Sequence, residues 1–228
     1  NKKIKFKFLI SKIKNQIHQR NMGKKISKNN LILQTDDDVI FKKNTLKEFY
    51  DCWLFSPTKK ILAAYVIDQN NSHQSIRFSV LYNNSLVFRL FLRFLNNFKK
   101  IQNFSLLQSG RIVPLINKKK LRKYENLDWL NSIMMYNKKI IFNPKIPNSF
   151  KKSYYEDVIF SHYNKIKGFK LIILKNAIIE HPISKKTNFK VFLDTIEKQL
   201  HLVKLFKKNY LLFIFDVIIF ALIFLIYK

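Results

Sequence analysis

The chain has 228 residues, 47% of them hydrophobic and 22 of them Phe, enough apolar material for one domain with a substantial core and too much for a disordered chain. Its 43 Lys and Arg against 14 Asp and Glu give a formal net charge of +29, and the single cysteine, Cys52, excludes an internal disulfide framework and a cysteine-rich zinc site. The basic residues are scattered along the whole chain as pairs and triplets (Lys2-Lys3, Lys24-Lys25, Lys42-Lys43, Lys118 to Lys120), which reads as a generally basic surface. No nucleic-acid partner is expected, and attraction to an anionic membrane face ranks next. The chain opens on Asn1 without a signal-peptide pattern, so a trimmed start or a fragment is expected.

In chain order, residues 2–19 are Lys-rich with interleaved Ile, Phe and Leu and predict a helix or a strand–helix piece. A polar helical stretch runs on through Arg20-Asn21-Met22-Gly23 to Asn29-Asn30. The apolar run Leu31-Ile32-Leu33 predicts a short buried strand that ends abruptly in Asp36-Asp37-Asp38. Lys42 to Ser56 predicts an amphipathic helix with Leu46, Phe49, Tyr50, Trp53 and Leu54 on one face, stopped by Pro57. Ile61 to Ile67 predicts a strand, followed by a polar turn at 68–72. Leu86 to Phe98 predicts an amphipathic helix or a membrane-surface element within the least readable stretch, 73–127.

Further on, Lys139 to Phe142 predicts a strand, followed by a proline-punctuated loop over 143–149. Tyr154-Tyr155-Glu156-Asp157 opens a helix, Val158 to Lys167, that stops at Gly168. Lys170–Leu174 and Ala177–Ile179 predict strands ending at Glu180-His181-Pro182. Strands alternating with helices predict an α/β fold with a mostly parallel sheet. Asn188 to Asn209 has helical apolar spacing with Lys on the other side. Tyr210 to Tyr227 is an 18-residue apolar run broken only by Asp216, about 27 Å as a helix. It predicts a C-terminal transmembrane helix, with a buried core helix as the other reading because of Asp216. Lys204, Lys207 and Lys208 ahead of it would leave the preceding domain on the cytoplasmic side.

Three adjacent carboxylates repel one another unless a cation sits among them or they cap a helix. Alternate residues of an extended chain point the same way, so Asp36 and Asp38 could converge on one hard cation. Capping of the Lys42–Ser56 helix is the other reading. Glu156-Asp157 at a helix start and His181 at a strand end are, taken singly, a cap and a structural histidine. Their order along the chain, acid triplet, Glu-Asp pair, His, is what links them.

That order resembles the inverting nucleotide-sugar glycosyltransferases of family 2, which have the GT-A fold. Arg20-Asn21-x-Gly23 and the strand into Asp36-Asp37-Asp38-Val39 are similar to the family's Arg-Asn-x-Gly helix and Asp-x-Asp strand end. Tyr155-Glu156-Asp157-Val158-Ile159-Phe160-Ser161 with Gly168-Phe169-Lys170-Leu171 is similar to its Glu-Asp motif and following turn. Lys207-Lys208-Asn209-Tyr210 resembles its Arg-Asn-aromatic element, and Trp129-Leu130-Asn131-Ser132 its Trp-x-x-Gly element, with Ser132 where Gly is usual. The resemblance spans about residues 16 to 210 and places the family's first strand and base-reading acid upstream of residue 1.

It implies a GT-A (Rossmann-like), mostly parallel sheet flanked by helices, in an N-terminally incomplete catalytic domain over 1–186. A juxtamembrane helix over 187–208 and a membrane helix over 209–228 would follow. It implies transfer of a sugar from a nucleotide-diphosphate donor to a hydroxyl of a glycan or lipid-linked acceptor, in cell-surface polysaccharide, lipopolysaccharide or glycolipid synthesis. Mg²⁺ or Mn²⁺ would be held by Asp36, Asp38 and His181. Arg20, Asp36 and Asp37 would serve the donor, and Trp129, Ser132 and Glu156 the acceptor. Asp157 would be the catalytic base. The competing readings are a non-catalytic basic protein that binds anionic membrane or nucleic acid, and an inactive transferase fragment.

Overall fold

The computed structural model describes residues 7–12, 16–55, 59–67, 81–114, 123–125, 127–140, 155–181 and 189–226. The helix stop expected at Pro57, the turn at 68–72 and the loop over 143–149 lie outside the described residues. The elements in order are α1 (Gln16–Ile26), β1 (Leu31–Gln34), β2 (Ile40–Phe41), α2 (Thr45–Leu54), β3 (Lys60–Ile67), α3 (Leu86–Leu95), β4 (Ser105–Leu106), β5 (Ile112–Val113), β6 (Lys123–Tyr124), β7 (Met134–Asn137), α4 (Glu156–Ile166), β8 (Lys170–Glu180), α5 (Phe189–Leu205) and α6 (Tyr210–Ile226).

The main sheet has the order β1-β7-β3-β8-β2, with β6 also pairing β8. Among the described residues, β3 and β8 pair parallel, and the β1–β7, β7–β3, β8–β2 and β6–β8 pairs are antiparallel. The mostly parallel GT-A sheet expected from the sequence is therefore corrected to a mixed one. Three strands run against the rest: β7, four residues that enter antiparallel between β1 and β3, and β2 and β6, which both pair antiparallel with β8. The expected strand at Lys139–Phe142 lies just past it: Lys139 stands in the turn that follows β7, and 141–142 lie outside the described residues. The two strands expected between Lys170 and Ile179 are one, β8, whose register against β3 shifts between Ala64 and Tyr65.

β3 and β8 are central and apolar on both faces, as strands covered on both sides must be. Alternation sends Ile61, Ala63, Leu171 and Ile173 to one cluster with Met134, Tyr136 and Phe160 of α4. It sends Leu62, Ala64, Ile172 and Leu174 to the other, with Phe49 of α2. Helix α4 ends as the sequence predicts: Gly168 takes φ 83, and Phe169 N donates back to Asn164 O at 3.0 Å.

A second lobe packs α3, α5 and α6 around the β4–β5 ladder. Its core includes Leu92, Leu95, Leu107 and Val113, joined to the main body through Leu106, Val158, Ile159 and Leu202. Here the expected transmembrane helix is corrected. No helix among the described residues is long and apolar enough to cross a membrane. Helix α6 packs on α3 and α5, and its Asp216 is 0% exposed. Arg111 Nε donates to Asp216 Oδ1 and Oδ2, both at 2.9 Å, and its Nη2 to Oδ1 at 2.6 Å. Gln199 Nε2 of α5 donates to Oδ2 at 2.7 Å, and the guanidinium lies 4.7 Å from the Phe220 ring centroid. A buried charge is tolerated only when paired and hydrogen-bonded, and this one is both. Gly110 lets the Arg111 loop approach α5. Its φ is +80, and a Cβ there would lie 2.6 Å from Val203 Cγ2.

Asp216→Ala leaves Arg111 facing a buried void without its counter-charge, and we expect a loss of about 3–5 kcal/mol of unfolding free energy by urea titration. A spanning helix would predict the opposite sign, since removing an intramembrane charge eases insertion.

Candidate functional site

Strand β1 stops at Gln34, and Asp37-Asp38 form a turn, so the two-residue alternation of a strand does not carry through the acidic triplet. The three carboxylates part company. Asp36 turns toward α1, where Arg20 Nη2 donates to its Oδ1 at 2.9 Å, while the Ser132 hydroxyl donates to its Oδ2. Asp37 is exposed. Asp38, with a side chain 55% exposed, lies with Oδ1 at 3.3 Å from His181 Nε2, brought there by the end of β8. The triplet does not cap α2, whose N-cap is Asn44 in the left-handed region at φ 68.

Arg20 is the joint of the site. Its Nη1 donates to Glu156 Oε1 at 2.7 Å while Nη2 holds Asp36, so one guanidinium ties α1, the end of β1 and the start of α4. The Gln16 amide, oriented to suit its neighbours, donates to Glu156 Oε1 at 3.2 Å and accepts from Arg20 Nη2 at 2.6 Å. Ser132 is fixed in turn, its carbonyl accepting from Gln34 Nε2 at 2.8 Å, and Gln34 Oε1 accepts from the Tyr136 hydroxyl at 3.1 Å. A glycine at 132 would supply no hydroxyl to Asp36. The serine, a departure from the expected motif, is part of the network.

Asp157 follows Glu156 in the first turn of α4, after Tyr155, which stands in the left-handed region at φ 70. For a bulky side chain that backbone costs about 1–3 kcal/mol and is held only when its surroundings over-determine it. The side chain of Asp157 is partly open to solvent at its surface but crowded by protein, in a small cleft shared with Arg20, Asn21, Lys24, Met134 and Phe160. Desolvation, then the Glu156 charge, pushes its pKa up to about 7, against the opposing pull of the Val158 N–H and Arg20. Glu156 is raised too, by burial first, with Arg20 opposing and Asp36 reinforcing. The two carboxyls titrate as a coupled pair, with the Arg20 guanidinium in direct contact with Glu156 and opposing the rise of both.

A neighbouring cleft of about 370 Å³, between α1 and β1, is lined by Arg20, Lys24, Ser27, Gln34 and Tyr136 among others. That is within the range of small-ligand sites. Lys24, Gln34 and Tyr136 were not expected from the sequence. Gln34 had a signal, lying two residues before Asp36 on the strand that delivers it.

The structure thus brings Arg20, Asp36, Ser132, Glu156 and Asp157 together, and Asp38 with His181 beside them. Trp129 is not among them: its Nε1 donates to Val113 O at 3.3 Å and its ring meets Phe104 edge-on at 5.1 Å, a packing role. Among the described residues no three His, Cys, Asp or Glu side chains converge as a metal-binding set. Asp36 is already engaged by Arg20 and Ser132. The fit to a metal is therefore a carboxylate–imidazole corner, Asp38 with His181. A divalent ion there would have one oxygen and one nitrogen ligand from the protein and would need substrate oxygens and water in its remaining positions.

A folded-state pKa of about 7 against an ordinary 3.8 means that the folded protein holds this proton where the unfolded chain has lost it. Stability from Asp157 is therefore full below about pH 4 and is lost as pH rises to about 7. Asp157→Asn should remove that slope and unfold at a higher urea midpoint than wild type at pH 8, with the two converging at pH 4. Arg20→Met leaves Glu156 and Asp36 uncompensated. We expect it to cost about 3 kcal/mol at neutral pH and less in acid, where the carboxylates are protonated.

No model of a known protein family matches this chain, and no curated protein matches it.

Proposed function

We propose that this protein is an inverting glycosyltransferase that moves a sugar from a nucleotide-diphosphate donor to a hydroxyl of a glycan or lipid-linked acceptor. The observation that carries the reading is Asp157, a carboxylate raised to about 7 at the mouth of a helix, beside an Arg-bridged carboxylate network. A base poised near the working pH is what proton removal from an alcohol needs. The motif order Arg20-Asn21-x-Gly23, Asp36-Asp37-Asp38, Glu156-Asp157, His181 supports the same reading.

In the proposed reaction Asp157 accepts the proton of the acceptor hydroxyl as its oxygen attacks the anomeric carbon. The bond from that carbon to the donor diphosphate breaks on the opposite face, so the configuration inverts and the nucleoside diphosphate departs with the bonding pair. Arg20 is a positioning residue whose charge is committed to Asp36 and Glu156. Lys24, on the wall shared by both clefts, supplies positive charge toward donor phosphates. Asp38 and His181 would hold Mg²⁺ or Mn²⁺, which when bound neutralises charge on the leaving diphosphate. Ser132 and Glu156 shape the acceptor side. We place the protein at a membrane, on the cytoplasmic face, because a basic surface is drawn to the anionic leaflet there.

Transfer from a panel of nucleotide-sugars, read as nucleoside diphosphate release with Mn²⁺ or Mg²⁺ present, is the test. Asp157→Asn should lower kcat about 10²–10⁴-fold with the fold intact, and the wild-type rate should rise with pH to a plateau above about 7. Asp38→Ala and His181→Ala should raise the metal concentration needed for half-maximal rate. Wild-type turnover in Asp157→Asn would remove the base from this assignment.

A further inference from the structure

Helix α3 carries an apolar stripe at three- and four-residue spacing, Val87, Leu90, Phe91 and Phe94, continued by Phe98. Val87, Leu90 and Phe98 are exposed, Val87 by 77%, where packing against the body would have buried them. Helix α6 carries a second such stripe, Leu211, Ile214, Phe215, Ile218 and Leu222, all exposed, Leu211 by 77%. The stripes adjoin: Phe215 lies with its ring 6.5 Å from Phe91 and 4.9 Å from Phe94, and Phe94 lies 5.9 Å from Phe98. Two helices thus present one continuous apolar face, far more than the scattered exposed residues of an ordinary surface.

Cations border this face on the α3 side and at the turn from α5 into α6. Arg93, Lys99, Lys100, Lys204 and Lys207 are exposed on these helices and their flanks. Lys208 is close enough to Lys99 to feel its charge. Over 86–103 and 204–222 the only carboxylate is Asp216, buried beneath α6 against Arg111. Helix α3, amphipathic and flanked by cations, has the composition of an element that lies in a bilayer interface, and the exposed apolar side of α6 extends the surface it would place among the acyl chains. A second copy of the chain would bring one cationic border against another, which disfavours self-association through this face.

We propose that the joined α3–α6 face seats the protein in the plane of an anionic lipid surface, as a monotopic attachment in which α6 lies along the interface. The proposal deepens the membrane placement given above and is independent of the sugar-transfer chemistry. The buried Asp216–Arg111 pair fits this geometry, since it fastens the inner side of α6 to the body and leaves the outer side for lipid.

The test is sedimentation of the full chain with vesicles of mixed phosphatidylglycerol and phosphatidylcholine, and with vesicles of phosphatidylcholine alone. We expect binding to the anionic vesicles that weakens as NaCl is raised, and a loss of about tenfold or more in Val87→Ser/Leu211→Ser, both exposed sites. Leu54→Ser/Phe55→Ser, exposed apolar residues on and just after α2, should bind as wild type. Asp157→Asn should keep vesicle binding while losing transfer, which separates failure of this proposal from failure of the enzymatic one. Equal binding by the Val87/Leu211 variant, or equal salt-insensitive binding to neutral vesicles, overturns the proposal. So does a discrete dimer in sedimentation equilibrium that the same substitutions dissolve, since the face would then belong to a second copy.

Discussion

One guanidinium organises the candidate site. Arg20 sits between Asp36 and Glu156, at 2.9 and 2.7 Å, and those two carboxylates arrive from opposite parts of the chain. Without a cation between them, the end of β1 and the first turn of α4 would present like charges across a poorly solvated gap. With it, three elements are fixed to one another, and the field that remains is enough to compete with, though not to cancel, the desolvation of Asp157. The site is therefore a compromise: Arg20 keeps Glu156 and Asp36 in place while Asp157, one residue further on, is left with its proton affinity raised. Scarcity of acid makes this arrangement conspicuous. Of 14 carboxylates in a chain of net charge +29, four meet the site as Asp36, Asp38, Glu156 and Asp157.

The second ion pair serves the architecture. Asp216 and Arg111 close a buried contact between α6 and the β4–β5 lobe, and Gln199 of α5 joins them. The pair thereby holds the apolar α6 against both α5 and the Arg111 loop. The consequence reaches the surface, because fixing the inner side of α6 fixes which residues face outward beside α3. A polar pair in the interior thus sets the orientation of an apolar face outside.

The legible parts of the fold were those with local signals. Ile61–Ile67, Lys170–Ile179 and the helices around Phe49 and Phe160 could be read because runs and periodicities are properties of neighbours in sequence. Glu156-Asp157 and Asp36 stood out in the sequence because acid is rare here, and the structure brings them together around Arg20. What failed depended on partners far along the chain. Met134–Asn137 was not read as a strand, and its antiparallel entry between β1 and β3, with β2 and β6 antiparallel on β8, makes the sheet mixed. The apolar run at 210–227 read as a membrane helix because the partner of its one charge, Arg111, lies 105 residues away. The structure packs Trp129 on Phe104, and it parts Asp36 from Asp38 because β1 ends at Gln34, four residues before Asp38.

The central claim is that burial and Glu156 raise Asp157 while Arg20 restrains it. Carbon-13 titration of the side-chain carboxyls by NMR, in the wild type and in Arg20→Met, reads this directly. The account predicts a wild-type Asp157 midpoint near 7 that moves upward when the guanidinium is removed. A midpoint near the ordinary aspartate value of 3.8, unmoved by the substitution, would contradict it.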